Sequence, residues 1–195
     1  MRYLCRKILV SGGARSGKSE FAESLIENEK NLYIATSVPF DSEMKKRVEL
    51  HKKRRGDNWN TAEIYRNFEK IEDREEFKNS ENIFLDCITI MITNIMMDTI
   101  SENLENQKSE DYEITLEDAE IIEDITMREI ETLFRLAENN KKNLIIVTNE
   151  VGLGIVPENR MSRIFRDIAG RVNRFAAEKS DEVYMVFMGI PNRIR

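Results

Sequence analysis

The sequence predicts an α/β fold, a mostly parallel central sheet flanked by helices. Three observations predict it. Short apolar runs alternate with helical patterns along the whole chain. Several of those runs are continuous rather than alternating, as strands covered on both faces of a parallel sheet are. Between the first run and the first helix, Gly12-Gly13-Ala14-Arg15-Ser16-Gly17-Lys18-Ser19 matches the pattern G-x-x-x-x-G-K-[ST].

The elements follow in order. Lys7–Ser11 reads as a buried strand. Lys18–Glu29 reads as a helix, with Phe21/Leu25 and Ala22/Ile26 pairs four apart. Leu32–Ala35 is the next strand. Ser42–Arg55 is a helix that Asp41 can N-cap, with Met44, Val48, His51 and Arg55 on one face. Trp59–Ile64 is compatible with an extra short strand. Ile83–Asp86, Leu144–Thr148 and Val183–Met188 are strands; Cys87–Ile100, Leu116–Glu138 and Arg160–Glu178 are helices. Ser101–Asp124 is strongly acidic. Its first half reads as a solvated loop and its second half opens the long helix; a solvated face or an acidic docking surface would both look like this. No Pro-, Gly- or Ser-rich linker and no internal repeat divides the chain, so residues 1–195 are expected to form one domain.

Composition narrows the function. With 30 Lys and Arg against 36 Asp and Glu, the net charge of -6 argues against a general nucleic-acid binder, which would show a basic footprint. Cys5 and Cys87 are far apart and lack metal-ligand spacing, so free thiols in a reducing compartment are expected. The first strand starts too early to leave room for a signal peptide. Ile88–Ile100 is too short to span a bilayer and carries Asn94 and Asp98. A cytoplasmic protein without an integral membrane segment is the expectation.

The glycine-rich motif has a physical mechanism. Its backbone N–H groups turn inward toward phosphate oxygens, and the following helix adds its N-terminal dipole. Lys18 reaches the β and γ phosphates, and Ser19 offers its hydroxyl to Mg²⁺. The motif therefore predicts a nucleoside triphosphate bound with Mg²⁺. Asp86 ends an apolar strand, where an aspartate either holds Mg²⁺, often through water, or simply ends the strand. His51 is the lone histidine. It is either a satisfied, partly buried imidazole or a nucleophile whose pKa is depressed by Arg47, Lys52, Lys53, Arg54 and Arg55. Asn149-Glu150-Val151-Gly152-Leu153-Gly154 follows a strand, at the edge where parallel sheets bind ligands. That loop and the helix carrying Arg160, Arg163, Arg166, Asp167, Arg171 and Asn173 fit a ligand site or a plain turn and charged helix equally well.

Several blocks together resemble one family. They are residues 12–19; Tyr33-Ile34-Ala35-Thr36; Asp41…Glu43-Met44…Arg47-Val48…His51-Lys52…Arg55; Trp59…Thr61…Glu63; and Asp86-Cys87…Thr89…Asn94. Asn149-Glu150-Val151-Gly152…Gly154-Ile155-Val156-Pro157 and Arg163…Phe165-Arg166-Asp167…Gly170…Asn173 complete the set. The chain is similar, over nearly its whole length, to the bifunctional adenosylcobinamide kinase/adenosylcobinamide-phosphate guanylyltransferases of cobalamin assembly. The resemblance implies a RecA-like P-loop NTPase fold and a homotrimer. It implies phosphorylation of adenosylcobinamide by ATP or GTP, then transfer of GMP from GTP to adenosylcobinamide phosphate through a guanylyl-histidine at His51. It carries nucleotide contacts onto residues 12–19, Ala35, Thr36, Ser37, Lys52, Lys53, Arg54, Arg55, Glu63 and Asp86. Glu63, Asp86 and Glu150 stand as undivided candidates for the kinase base. The acidic Ser101–Asp124 stretch matches no family motif, and the final Gly189–Arg195 has arginine where the family commonly has lysine. An enzyme with one activity retained, or a nucleotide-dependent switch, are the alternatives.

Overall fold

The computed structural model describes residues 5–26, 30–37, 59–107 and 113–195. The expected helix Ser42–Arg55 lies outside them. Seven strands form one sheet: β1 (Lys7–Gly12), β2 (Asn31–Ala35), β3 (Trp59–Glu63), β4 (Asn82–Asp86), β5 (Asn143–Asn149), β6 (Glu182–Phe187) and β7 (Ile190–Arg193). Their order is β3-β2-β4-β5-β1-β6-β7. All neighbours are parallel except β6 and β7. The helices are α1 (Lys18–Ser24), a short α2 (Glu75–Lys78), α3 (Ile88–Gln107), α4 (Leu116–Asn139) and α5 (Arg160–Lys179). The architecture is the expected α/β P-loop fold.

The continuous apolar runs are explained by two cores, one on each face. Along every inner strand alternate residues serve opposite layers. Leu9, Leu32, Ile34, Ile83, Leu85, Leu144 and Ile146 join the core that includes residues of α3, α4 and α5. Ile8, Val10, Tyr33, Phe84, Ile145 and Val147 join the core that includes Ala22 of α1, with Phe21 packed against it. Tyr33 stacks on Phe84 with centroids 5.6 Å apart, and Trp59 meets Phe84 edge-on at 5.6 Å.

Four elements differ from the sequence expectation. The expected loop after Ile100 is instead helix: α3 continues to Gln107. Nothing between Ser101 and Gln107 breaks a helix, and propagation costs little once a packed helix has begun. Asp118, expected on the solvated acidic face, is 5% exposed. It forms a capping box with Thr115 at the start of α4, and its Oδ1 accepts Asn103 Nδ2 of α3 at 2.8 Å. Such a cap contributes about 1 kcal/mol. The first helix ends at Ser24 rather than Glu29, with residues 27–29 outside the described set. Met188 lies beyond its strand: it and Gly189, with φ of 51° and 80°, make the two-residue turn of a β6–β7 hairpin that the sequence reading missed. The antiparallel β7 is the added edge.

Parallel pairing puts the ends of β1 to β5 on one edge of the sheet. The loop of residues 13–17, Thr36, Glu63, Asp86 and Asn149 are thereby brought to that edge.

Candidate nucleotide-binding site

At the tip of β1 the chain curls tightly. The Ser16 N–H donates to the Gly13 carbonyl at 3.3 Å, and Gly17, at φ 87°, turns the backbone into α1. Lys18 is 9% exposed, and its ammonium folds back to donate to the Gly13 carbonyl at 3.0 Å. Two glycines are dictated by geometry. A Cβ on Gly12 would lie 2.6 Å from Ser16 Oγ and 2.7 Å from the Val186 carbonyl oxygen. One on Gly17 would sit 3.2 Å from Gly189 Cα, at a φ that side chains rarely adopt. The β6–β7 turn braces the loop from below, because the Gly189 N–H donates to the Ser16 carbonyl at 2.8 Å. Gly189, followed by Ile190-Pro191, was the sequence signal for that turn. Ser16 Oγ is buried in this loop without a hydrogen-bond partner among the described residues, as is Ser11 Oγ just before it. A buried hydroxyl left without a partner in a glycine-rich turn suits a phosphate oxygen.

Asp86 is fastened rather than loose. Its Oδ2 accepts the Tyr33 hydroxyl at 2.9 Å. Its carbonyl accepts the Thr36 N–H at 3.1 Å, tying the tip of β2 to that of β4. The Thr36 hydroxyl accepts the Cys87 N–H at 2.8 Å, and Asn94 Nδ2 donates to the Thr36 carbonyl at 2.6 Å. Thr36 is fully buried, so its side chain holds strand tips together. The Cys87 thiol, fully buried, is pushed up to about 11, first by burial and then by the Asp86 charge. It is neutral at physiological pH and no nucleophile.

Among the described residues no group of three or more His, Cys, Asp or Glu is placed to hold a metal ion. Mg²⁺ bound to nucleotide phosphates does not require one, because it keeps waters and takes one or two protein oxygens. Two strand spacings, about 10 Å, separate β4 from β1. Ser19, in the first turn of α1, and Asp86, at the tip of β4, bring a hydroxyl and a carboxylate to that edge of the sheet.

Between β1 and β4, β5 ends in Asn149, whose Nδ2 donates to Thr89 Oγ1 at 2.6 Å and whose carbonyl accepts Asn173 Nδ2 at 3.1 Å. Thr148 Oγ1 donates to Asn173 Oδ1 at 2.7 Å. Asn173 thus pins α5 to β5. Arg163 donates to the Pro157 carbonyl at 3.1 Å and to that of Glu158, so it shapes the β5–α5 loop.

A cavity of about 430 Å³ opens at the tips of β2 and β3. It unites Ala35, Ser37 and Glu63, three of the residues expected to touch nucleotide, and adds Ile64, Tyr65, Arg66, Asn67 and Lys70. Tyr65 and Arg66 both engage Asp98 of α3, at 2.9 Å and 3.2 Å, which fixes the cavity wall. Those wall residues gave no sequence signal, since no periodicity marks a strand-to-turn segment. Ala14 and Arg15 are exposed. His51, Lys52, Lys53, Arg54 and Arg55 lie outside the described residues. No helix among the described residues is long and apolar enough to cross a membrane.

The profile of a family described as cobinamide kinase / cobinamide phosphate guanyltransferase matches residues 8–194. A Salmonella typhimurium protein named bifunctional adenosylcobalamin biosynthesis protein CobU is 44% identical over 96% of this chain and 99% of its own length. An Escherichia coli protein of the same name is 39% identical over the same shares. A Pseudomonas aeruginosa protein named bifunctional adenosylcobalamin biosynthesis protein CobP is 31% identical over 94% of both chains. Among solved structures, a KaiC-like protein from Pyrococcus horikoshii OT3 matches with a TM-score of 0.47 at 10% identity, over 91% of this chain and 69% of that chain.

Proposed function

The chain belongs to the cobinamide kinase / cobinamide phosphate guanyltransferase family, and we propose that its single P-loop serves two successive reactions on one corrinoid. It is a kinase and guanylyltransferase of cobalamin biosynthesis. In the first reaction ATP or GTP phosphorylates the aminopropanol hydroxyl of adenosylcobinamide. In the second, GTP gives its GMP to adenosylcobinamide phosphate, releasing pyrophosphate and forming adenosylcobinamide-GDP.

The observation that carries this reading is the shared edge. The loop of residues 12–19, Asp86 and the Ala35–Ser37–Glu63 cavity all open where the parallel strands end. Lys18 and the loop amides stabilise charge on the phosphates in both reactions, at the γ-phosphoryl in one and the leaving pyrophosphate in the other. Ser19 and Asp86 hold Mg²⁺, which supplies charge neutralisation on the phosphate oxygens. The cavity with Ala35, Ser37 and Glu63, together with Thr36 and with Lys52, Lys53, Arg54 and Arg55, receives the rest of the nucleotide. His51 attacks the α-phosphorus and carries the guanylyl group, dividing one displacement into two. The whole chain acts as one catalytic domain, in the cytoplasm, as a homotrimer.

Incubation of the purified protein with adenosylcobinamide, GTP and Mg²⁺ tests the reading. Chromatography should show adenosylcobinamide phosphate appearing first and adenosylcobinamide-GDP with pyrophosphate following. Only one of the two products, or neither, contradicts it.

A further inference from the structure

We infer that Glu150 is the general base of the kinase reaction, accepting the proton from the corrinoid hydroxyl; the inference rests on the bifunctional reading above. Among the described residues, Glu63, Asp86 and Glu150 bring carboxylates to the carboxyl edge of the sheet, and strand order separates them. Glu63 ends β3, with β2, β4 and β5 between it and the P-loop strand. At about 4.8 Å per strand that is roughly 19 Å, beyond the reach of a glutamate. Asp86 lies two spacings away, with one oxygen accepting the Tyr33 hydroxyl. Glu150 follows β5, the immediate neighbour of β1, and its own N–H donates to the Gly12 carbonyl at 3.1 Å. Of these three it is the one beside the phosphate loop.

The side chain is also aimed. Glu150 Oε1 accepts the Gly152 N–H at 2.6 Å. A Cβ at residue 152 would lie 2.8 Å from that oxygen, so the glycine is what lets the carboxylate tuck in. The second oxygen has no hydrogen-bond or ion-pair partner among the described residues. One lone-pair set is thus fixed to the loop and the other is left for a proton. The Asn-Glu-Val-Gly segment, which the nucleotide contacts do not use, acquires a role.

The chemistry of the two reactions makes the role selective. In the kinase step the acceptor is an alcohol. Its O–H proton passes to Glu150 as its oxygen bonds to the γ-phosphorus, while the bond from that phosphorus to the β–γ bridging oxygen breaks. The bonding pair leaves with the nucleoside diphosphate, and the proton later returns to solvent. In guanylyl transfer the acceptor is a phosphate oxygen, already ionised at neutral pH, and no proton needs removal.

Glu150→Gln separates base from brace, because the amide oxygen still accepts the Gly152 N–H. Each half-reaction is read separately: phosphorylation from adenosylcobinamide with GTP and Mg²⁺ as the sum of adenosylcobinamide phosphate and adenosylcobinamide-GDP formed, and guanylylation from supplied adenosylcobinamide phosphate with GTP and Mg²⁺. Phosphorylation is expected to fall about 10²- to 10⁴-fold while guanylylation stays within about threefold, and Glu150→Asp should recover part of the phosphorylation. Phosphorylation left within about threefold overturns the proposal, as does an equal fall in both half-reactions, which would make Glu150 a brace for the loop. Should Glu150→Gln not fold by circular dichroism, Glu150→Asp carries the test alone. A selective loss of phosphorylation then supports the base, and equal effects overturn it. Failure of the unmodified protein in either half-reaction would instead count against the bifunctional reading.

Discussion

Replacing Gly12 by alanine should damage the protein through space alone. The new methyl meets two oxygens. Ser16 Oγ, 2.6 Å away, sits on a side chain that can rotate. The Val186 oxygen, 2.7 Å away, is backbone, and Val186 is Gly12's own partner in the β1–β6 ladder. An ordinary C···O contact is about 3.3 Å or more, so β6 or the phosphate loop must shift by about 0.6 Å. Overpacking of that kind costs about 1–3 kcal/mol. At roughly 2–4 °C per kcal/mol for a chain of this size, a 2 kcal/mol loss lowers Tm by about 4–8 °C. Gly13→Ala is the control, because a Cβ there meets nothing within 4 Å. Thermal denaturation of both variants without nucleotide should show the fall for Gly12→Ala only. A Tm for Gly12→Ala equal to that of Gly13→Ala would mean that the Val186 carbonyl does not restrict residue 12.

Three further outcomes follow from the same geometry. Lys18→Ala should fold normally and lose both reactions by orders of magnitude, since its ammonium serves one shared loop; normal guanylylation by the folded variant contradicts this. Asp86→Asn should weaken nucleotide binding more with Mg²⁺ than with chelator present; equal weakening, read by calorimetry, would make Asp86 purely structural. Glu182 is pushed up by burial, yet the Tyr184 hydroxyl and the Arg6 guanidinium, bonded at 2.7 Å and 2.9 Å, overcome this and hold its carboxyl below the usual range. Its stabilisation is therefore full above about pH 4.3 and is lost as pH falls through the lowered folded value. Glu182→Gln should cost about 2 kcal/mol near neutral pH in urea unfolding, with the difference from the unmodified protein shrinking in acid; a constant difference across pH would contradict the assignment.

What the sequence revealed tracks what local pattern encodes. The two-faced strands β1, β2, β4 and β5 were legible because burial on both sides leaves an unbroken apolar run. The phosphate loop was legible because glycine spacing and a lysine are the mechanism itself. The reach of α3 was not, since Ser101–Gln107 looks like loop by polarity although nothing in it stops a helix. Asp118 was missed because a capping carboxylate and a solvated one look alike in a run of acids. Tyr33 on Asp86, Gly189 beneath Ser16 and the Tyr65–Arg66–Asp98 wall were invisible because each joins residues distant in sequence. Glu150, Glu63 and Asp86 could be ranked only once strand order was known.

In the proposed mechanism one phosphate loop serves two chemistries, with a covalent guanylyl carrier in the second. Intact mass of the unmodified protein and of His51→Ala, after GTP and Mg²⁺ alone and under non-acidic conditions that spare a phosphoramidate, tests it most directly. The unmodified protein should gain the mass of one guanylyl group. Folded His51→Ala should gain none, while still phosphorylating adenosylcobinamide and no longer forming adenosylcobinamide-GDP. A guanylyl adduct on His51→Ala, or conversion of adenosylcobinamide phosphate by that variant at near the unmodified rate, would contradict the account.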